Sequence, residues 1–68
     1  MAIMEMLKEL FEGGYHFVYE GYHGGYDVED FEEVEDAWQE AEEDAYLIFR
    51  YEVSHERRLV AVWVDYED

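Results

Sequence analysis

Residues 30–44 constrain the fold most, because this segment is apolar along one stripe and acidic elsewhere. Nine of its fifteen residues are Asp or Glu, and none is Lys or Arg. The apolar residues, which continue one position beyond the segment, are spaced by three, four, three and four, as in an amphipathic helix: Phe31, Val34, Trp38, Ala41 and Ala45. Such a helix buries only one stripe, so the chain must supply a second layer that covers it.

The start of this helix is marked by Asp30, which is followed three residues later by Glu33. This spacing is a variant of the capping box, in which each side chain accepts a hydrogen bond from backbone N–H groups at the helix start. Glu32 and Glu33 also suit the positive end of the helix dipole. We therefore predict that the helix begins at Asp30.

The remaining sequence predicts a second helix and three strands. Apolar residues at helical spacing occupy residues 2–12, and Gly13-Gly14 then ends the helix. Residues 15–20 are aromatic and β-branched, which favours a strand. Residues 21–26 hold three glycines and two tyrosines, so we expect a loop or a frayed strand end.

Residues 46–53 and 58–66 alternate between apolar and polar side chains and enclose a four-residue turn, which predicts a β-hairpin. The order is then helix, strand, helix, strand, strand. It favours a small two-layer α+β domain with an antiparallel sheet, and at this length the chain, residues 1–68, is a single domain.

The charge excludes several partners. The chain has twenty acidic and four basic residues, so its formal net charge is -16. Nucleic acid and anionic lipid would be repelled, and we expect neither a nucleic-acid nor a membrane partner. An acidic disordered tail is disfavoured, because half of the residues are hydrophobic and 19% are aromatic.

The residue inventory also disfavours an enzyme. Ser54 is the only serine, and its neighbour His55 is not expected to face it, because adjacent residues rarely point at each other. With no cysteine and three histidines, a zinc site is disfavoured, and the spacing of His16 and His23 matches no metal motif. We therefore expect no enzymatic activity, no cofactor and no metal site.

The acidic helix repels itself. Glu32 and Asp36, like Glu40 and Asp44, stand four residues apart, where like charges cost a few tenths of a kcal/mol per pair. One explanation is adaptation to high salt. The other is mimicry of a nucleic-acid backbone, since nine charges over about 22 Å of helix approach the charge density of duplex DNA, about one per 1.7 Å.

Tyrosines recur every three or four residues between residues 15 and 26, in a stretch rich in glycine. Tyrosine with glycine makes adaptable contact surfaces, which favours a protein-binding role for Tyr22 and Tyr26. Tyr15 and Tyr19 are equally explained as strand residues that cover the core.

Two stretches carry a resemblance to a known family. Tyr22-His23-Gly24-Gly25 leads into Asp30-Phe31-Glu32, and the later stretch 44–50 combines an acidic turn with an apolar strand. Over residues 17–53 this resembles the small acidic uracil-DNA glycosylase inhibitors of Bacillus phages. The order of elements is also similar to that of the larger phage inhibitors of the same enzyme. Because this chain opens with a helix where the smaller family has a strand, both a monomer and a homodimer stay open.

The resemblance implies an inhibitor protein that mimics DNA, occupies the DNA-binding cleft of uracil-DNA glycosylase and blocks base excision repair in the cytoplasm of the host cell. That enzyme inserts an apolar wedge into DNA when it flips out uracil. Phe31 and Val34 would receive the wedge, although Phe31 also fits the core stripe. Carboxylates in the place of phosphates would come from Glu20, Glu29, Asp30, Glu32, Glu33, Glu35 and Asp36. The alternatives are a DNA mimic that acts on a restriction or CRISPR nuclease and a salt-adapted structural domain.

Overall fold

The computed structural model describes residues 2–21 and 24–66. Two helices and four strands follow one another as α1 (Ile3–Glu12), β1 (His16–Gly21), β2 (Gly24–Asp27), α2 (Glu32–Glu43), β3 (Leu47–Ser54) and β4 (Leu59–Tyr66). The predicted α+β class is confirmed, and so are both helices and the hairpin. Strand β2 was not predicted, because its Gly24-Gly25 pair is typical of a loop.

Helix α1 ends in a Schellman motif at the two glycines. The N–H of Tyr15 donates to the carbonyl oxygen of Leu10 at 3.0 Å, and the N–H of Gly14 donates to that of Phe11 at 3.2 Å. Gly14 has a φ of 92°, which glycine adopts without strain. The motif turns the chain back at once, so β1 starts beside the helix that precedes it.

The four strands form one mixed sheet in the order β2-β1-β4-β3. Both hairpins are antiparallel, but β1 and β4 are parallel, with Phe17 paired to Val60 and Tyr19 to Val62. This corrects the prediction of a purely antiparallel sheet. The apolar strand β4 occupies an inner position, where both of its edges pair with neighbouring strands. Strand β3, which carries Arg50 and Glu52, lies at the edge of the sheet.

Both helices pack on the same face of the sheet. Leu7 of α1 and Val34 of α2 belong to one buried cluster with Phe17, Val60 and Val62, which register places on one side of β1 and β4. The other face holds half-buried Val18, Ala61 and Trp63 and, on the edge strand, exposed Arg50 and Glu52. We call this second side the open sheet face.

Three phenylalanine rings join the layers. Phe11 of α1 lies 5.4 Å from Phe17 of β1 and 5.5 Å from Phe31, which immediately precedes α2. Phe31 is 7% exposed and Val34 is fully buried. These two residues therefore do not form the surface that was predicted to receive a wedge, because Phe31 packs against Phe11 and Phe17 and Val34 is buried in the same core cluster.

Because Phe31 packs against two other rings, we expect Phe31→Ala to lower the free energy of unfolding by about 3–5 kcal/mol. That is most of the stability of a domain of this size. Thermal or urea unfolding followed by circular dichroism measures the change. Tyr46→Ala is the control, since Tyr46 is 74% exposed. Equal effects of the two substitutions would show that Phe31 is not a core residue.

Candidate functional site

Helix α2 presents a dense row of carboxylates. Its twelve residues include seven acids, all exposed except the half-buried Glu33: Glu32, Glu33, Glu35, Asp36, Glu40, Glu42 and Glu43. A helix of this length spans about 18 Å, so the average spacing is one negative charge per about 2.6 Å of axis. This density approaches that of duplex DNA, about one charge per 1.7 Å.

These carboxylates lack cationic partners within residues 2–21 and 24–66. The two ion pairs found there lie on the open sheet face, where His16 Nε2 is 2.8 Å from Asp27 Oδ1 and Arg50 Nε is 3.6 Å from Asp65 Oδ2. The last turn of α2 also has no basic residue. The helix therefore carries its negative charge uncompensated, on the side of the sheet opposite to both pairs.

Two of the acids stabilise the start of α2. Glu33 Oε2 accepts hydrogen bonds from the N–H groups of Glu29 at 3.1 Å and Asp30 at 3.3 Å. Asp30 Oδ1 accepts one from the N–H of Glu32 at 3.0 Å. The predicted capping box is confirmed in part: Glu33 reaches back to the N–H of Asp30, but Asp30 accepts from Glu32 and not from Glu33, and regular helix begins at Glu32. Each of these two carboxylates therefore has one oxygen bound to the backbone.

A groove runs between α2 and the β1–β2 hairpin. It has a volume of about 240 Å³ and is lined by Tyr19, Tyr26, Glu33, Asp36, Ala37 and Glu40. Tyr19 and Tyr26 are paired across the two strands, and their rings are stacked with centroids 5.4 Å apart. We call this feature the tyrosine–acid groove.

The environment of the groove favours the neutral form of Tyr19. Burial, the neighbouring Tyr26 and the Glu40 carboxylate, in that order, raise the pKa of Tyr19 above its ordinary value. A tyrosine is already neutral at pH 7, and the raised pKa extends this neutral form of Tyr19 to more alkaline pH. The groove combines carboxylates and ring faces, which suits a guanidinium or ammonium group and disfavours an anion.

The structure brings together only part of the predicted site. Asp36 and Tyr26 line the groove with Glu33, and Glu32 and Glu35 are exposed on α2. Exposed Glu29 and Asp30 lie in the segment before the helix. Tyr22 lies outside the described residues.

Glu20 is separated from these residues. Side chains alternate along a strand, so Glu20 lies on the opposite face from Tyr19. There it lines a depression on the open sheet face with Glu52, Ser54 and Arg57. Glu20 is therefore not part of the acidic surface of α2.

Three residues of the groove were not predicted as site residues: Tyr19, Ala37 and Glu40. The spacing of Glu33, Asp36 and Glu40 by three and four would have placed these acids on one side of a helix. Tyr19, in contrast, reaches the groove through its pairing with Tyr26, which depends on a strand that the sequence pattern did not predict.

Ser54 and His55 have separate partners. Ser54 Oγ accepts a hydrogen bond from the N–H of Arg57 at 3.3 Å, whereas Nδ1 of His55 is 2.8 Å from the hydroxyl oxygen of Tyr15. The described residues contain no group of three or more acidic or histidine side chains arranged to hold a metal ion. In the same part of the chain, neither helix has the length and apolar character needed to cross a membrane.

Comparisons with protein-family models, with curated proteins and with solved structures gave no match to this chain.

Because the pKa of Tyr19 is raised by folding, the folded state holds its proton more tightly than the unfolded state does. This contribution to stability is present below the ordinary tyrosine pKa of about 10 and is lost as pH rises through the higher folded value. We expect Tyr19→Phe to lose less stability than the wild type between neutral pH and pH values above about 10.

Urea unfolding at a series of alkaline pH values measures this difference. Tyr46→Phe is the matched control, because Tyr46 is exposed and has the same side chain. If Tyr19→Phe and Tyr46→Phe lose stability in parallel with the wild type, the environment of Tyr19 does not favour its neutral form.

Proposed function

We propose that this protein is a non-enzymatic inhibitor that mimics DNA and binds in the DNA-binding cleft of uracil-DNA glycosylase. The observation that carries the proposal is the row of seven carboxylates on α2, which lack cationic partners in the described part of the chain. A basic cleft that binds phosphates would supply the missing positive charge.

The position of the charges favours a defined binding surface over an acidic surface that has no binding role. The acids of α2 are anchored by Val34 and Ala37, which are buried on the same helix. They are therefore held in place before a partner arrives, and binding loses less conformational entropy than with a disordered acidic segment.

The tyrosine–acid groove supplies the remaining contacts. Its stacked rings lie beside Asp36 and Glu40, so an arginine or lysine side chain of the partner would meet carboxylates and ring faces together. In this proposal the groove, and not Phe31 with Val34, is the centre of the interface. An apolar wedge of the partner would have to contact the tyrosine rings, because the phenylalanine core is closed.

The choice of uracil-DNA glycosylase as the target rests on the resemblance over residues 17–53, and the proposed location is the cytoplasm of an infected host cell. The charge by itself is compatible with other basic DNA-binding proteins. Excision of uracil from DNA in the presence of this protein therefore tests the target directly.

We expect a stoichiometric amount of the protein to abolish uracil excision without binding the DNA itself. Asp36→Asn with Glu40→Gln should lower the association rate about threefold and weaken its dependence on salt, because charges at an interface mainly steer association. The control is Glu5→Gln with Glu9→Gln, which removes the same charge from exposed positions of α1. Stopped-flow association kinetics measures both.

Two results would count against the proposal. Full glycosylase activity in the presence of a molar excess of the protein would exclude this enzyme as the target. Equal effects of the two double variants would mean that net charge acts without a defined site on α2.

The salt dependence of folding distinguishes mimicry from salt adaptation. We expect the chain to be folded at an ionic strength of about 0.01 M, where the Debye length is about 30 Å and repulsion is barely screened. Added NaCl should raise the melting temperature modestly. A circular dichroism spectrum of an unfolded chain at low salt, with folding only at high salt, would support the salt-adapted domain instead.

A further inference from the structure

The two outer strands of the sheet differ in how they are protected. Strand β2 has four residues, two of them glycine. Strand β3 has eight residues in unbroken register with β4, contains neither Pro nor Lys, and has no neighbouring strand on its outer side among the described residues. The charged residues of β3 are one base and one acid, Arg50 and Glu52, and a long, regular edge strand without Pro, Lys or a bulge is a template for pairing with another strand.

The sequence of β3 is complementary to itself in one antiparallel register. If two copies of β3 pair about Tyr51, Arg50 of each copy lies opposite Glu52 of the other, and Phe49 lies opposite Val53. The one basic residue of the strand thus meets its one acid, and an apolar pair continues the helix-covered face of the sheet. Opposite charges at such positions stabilise strand pairing.

Neighbouring registers lack this complementarity. Pairing about Arg50 places the two arginines opposite each other, and pairing about Glu52 places the two glutamates opposite each other. A shift by one residue brings the helix-covered face of one copy into line with the open sheet face of the other. The register about Tyr51 is the one that pairs the two charges of β3 and also matches the faces.

A hollow at the edge of the sheet fits the same register. It has a volume of about 230 Å³ and is lined by Trp38, Ala41 and Glu42 of α2 and by Leu47, Ile48 and Phe49 of β3. The Trp38 ring packs edge-on against Phe49, with centroids 5.6 Å apart. A valine opposite Phe49 would extend its side chain on this helix-covered side, toward the hollow.

We propose that two copies of this chain associate through antiparallel pairing of their β3 strands about Tyr51. The two four-stranded sheets then form one continuous sheet. Val53 of each copy, which also packs against its own core, lies beside Phe49 of the other copy at the edge of the hollow. The tyrosine–acid groove adjoins β1 and β2, away from β3, so it stays open in the dimer. The proposal is therefore independent of the proposed function.

The experiment exchanges the two charges. Sedimentation velocity over a range of concentrations should show a monomer–dimer equilibrium for the wild type. Arg50→Glu or Glu52→Arg alone places like charges opposite each other and should weaken the dimer about tenfold. The double variant restores opposite charges across the two strands with an unchanged composition, so it should recover most of the affinity that each single variant loses. Recovery is incomplete because the exchange also removes the 3.6 Å ion pair between Arg50 and Asp65 of the same chain.

Mixing the two single variants gives a sharper result. The Arg50→Glu chain carries an acid at both positions of β3, and the Glu52→Arg chain carries a base at both. In a mixed pair every acid therefore faces a base, so the mixture should form heterodimers in preference to either homodimer.

Lys8→Glu is the control for net charge, because Lys8 is exposed on α1 and its replacement changes the total charge as Arg50→Glu does. It should leave the dimer within about twofold of the wild type, after screening of long-range repulsion by salt. A loss as large as that of Arg50→Glu would show that total charge, and not the pairing of β3, controls association.

Hydrogen exchange supplies a second measurement on the unaltered chain. Amides of β3 should exchange more slowly as protein concentration rises, whereas amides of β2 should not change. A monomer at every concentration would overturn the proposal. So would a dimer that is insensitive to both charge exchanges, since it must then use another surface.

Discussion

The contact among Phe11, Phe17 and Phe31 is the interaction on which the remaining structure depends. It joins one ring from α1, one from β1 and one from the residue that precedes α2. Centroid distances from 5.4 to 6.1 Å, with inclined ring planes, are favourable for aromatic pairs. Without this cluster, nothing comparable in size would hold the acidic helix against the sheet near its start.

The packing of that cluster opposes the destabilising repulsion among the carboxylates of α2. Carboxylates four residues apart repel along the helix, and its C-terminal acids face the negative end of the dipole. Glu33 and Asp30 offset part of this cost by capping the start of the helix, where negative charge is favourable. The charge is thus tolerated because burial of Val34 and Ala37 on the opposite side exceeds the repulsion between exposed groups.

Local sequence patterns predicted those elements that local interactions determine. The spacing of Val34 and Trp38 predicted α2, Gly13-Gly14 predicted the end of α1, and alternation predicted the β3–β4 hairpin. Pairing between distant strands was not predictable in this way. The parallel contact of β1 with β4 depends on the path of the chain through α2, and β2 forms because β1 is there to pair with its glycines.

The residues of the candidate site also differ in whether local patterns or distant contacts determine their positions. The carboxylates of Asp36 and Glu35 were predicted as surface groups, because a helical stripe determines which side is exposed. The role of Phe31 was not decided by its position at the start of that stripe, since its burial depends on Phe11 from a different helix. Glu20 was misplaced for a related reason: only the pairing of Tyr19 with Tyr26 shows which face of β1 borders α2.

The rigid placement of charge distinguishes this protein from an acidic disordered chain of equal composition. In a disordered segment, carboxylates move apart in response to their mutual repulsion, and a partner must restrain them again on binding. Here Ala37, buried between Asp36 and Glu40 in sequence, fixes the helix that carries both groups. Their repulsion is therefore present in the free protein, and a cationic partner would relieve it. Relief of this repulsion would then contribute to the free energy of binding a cationic partner, and the phenylalanine cluster is the part of the core that stabilises the charged helix.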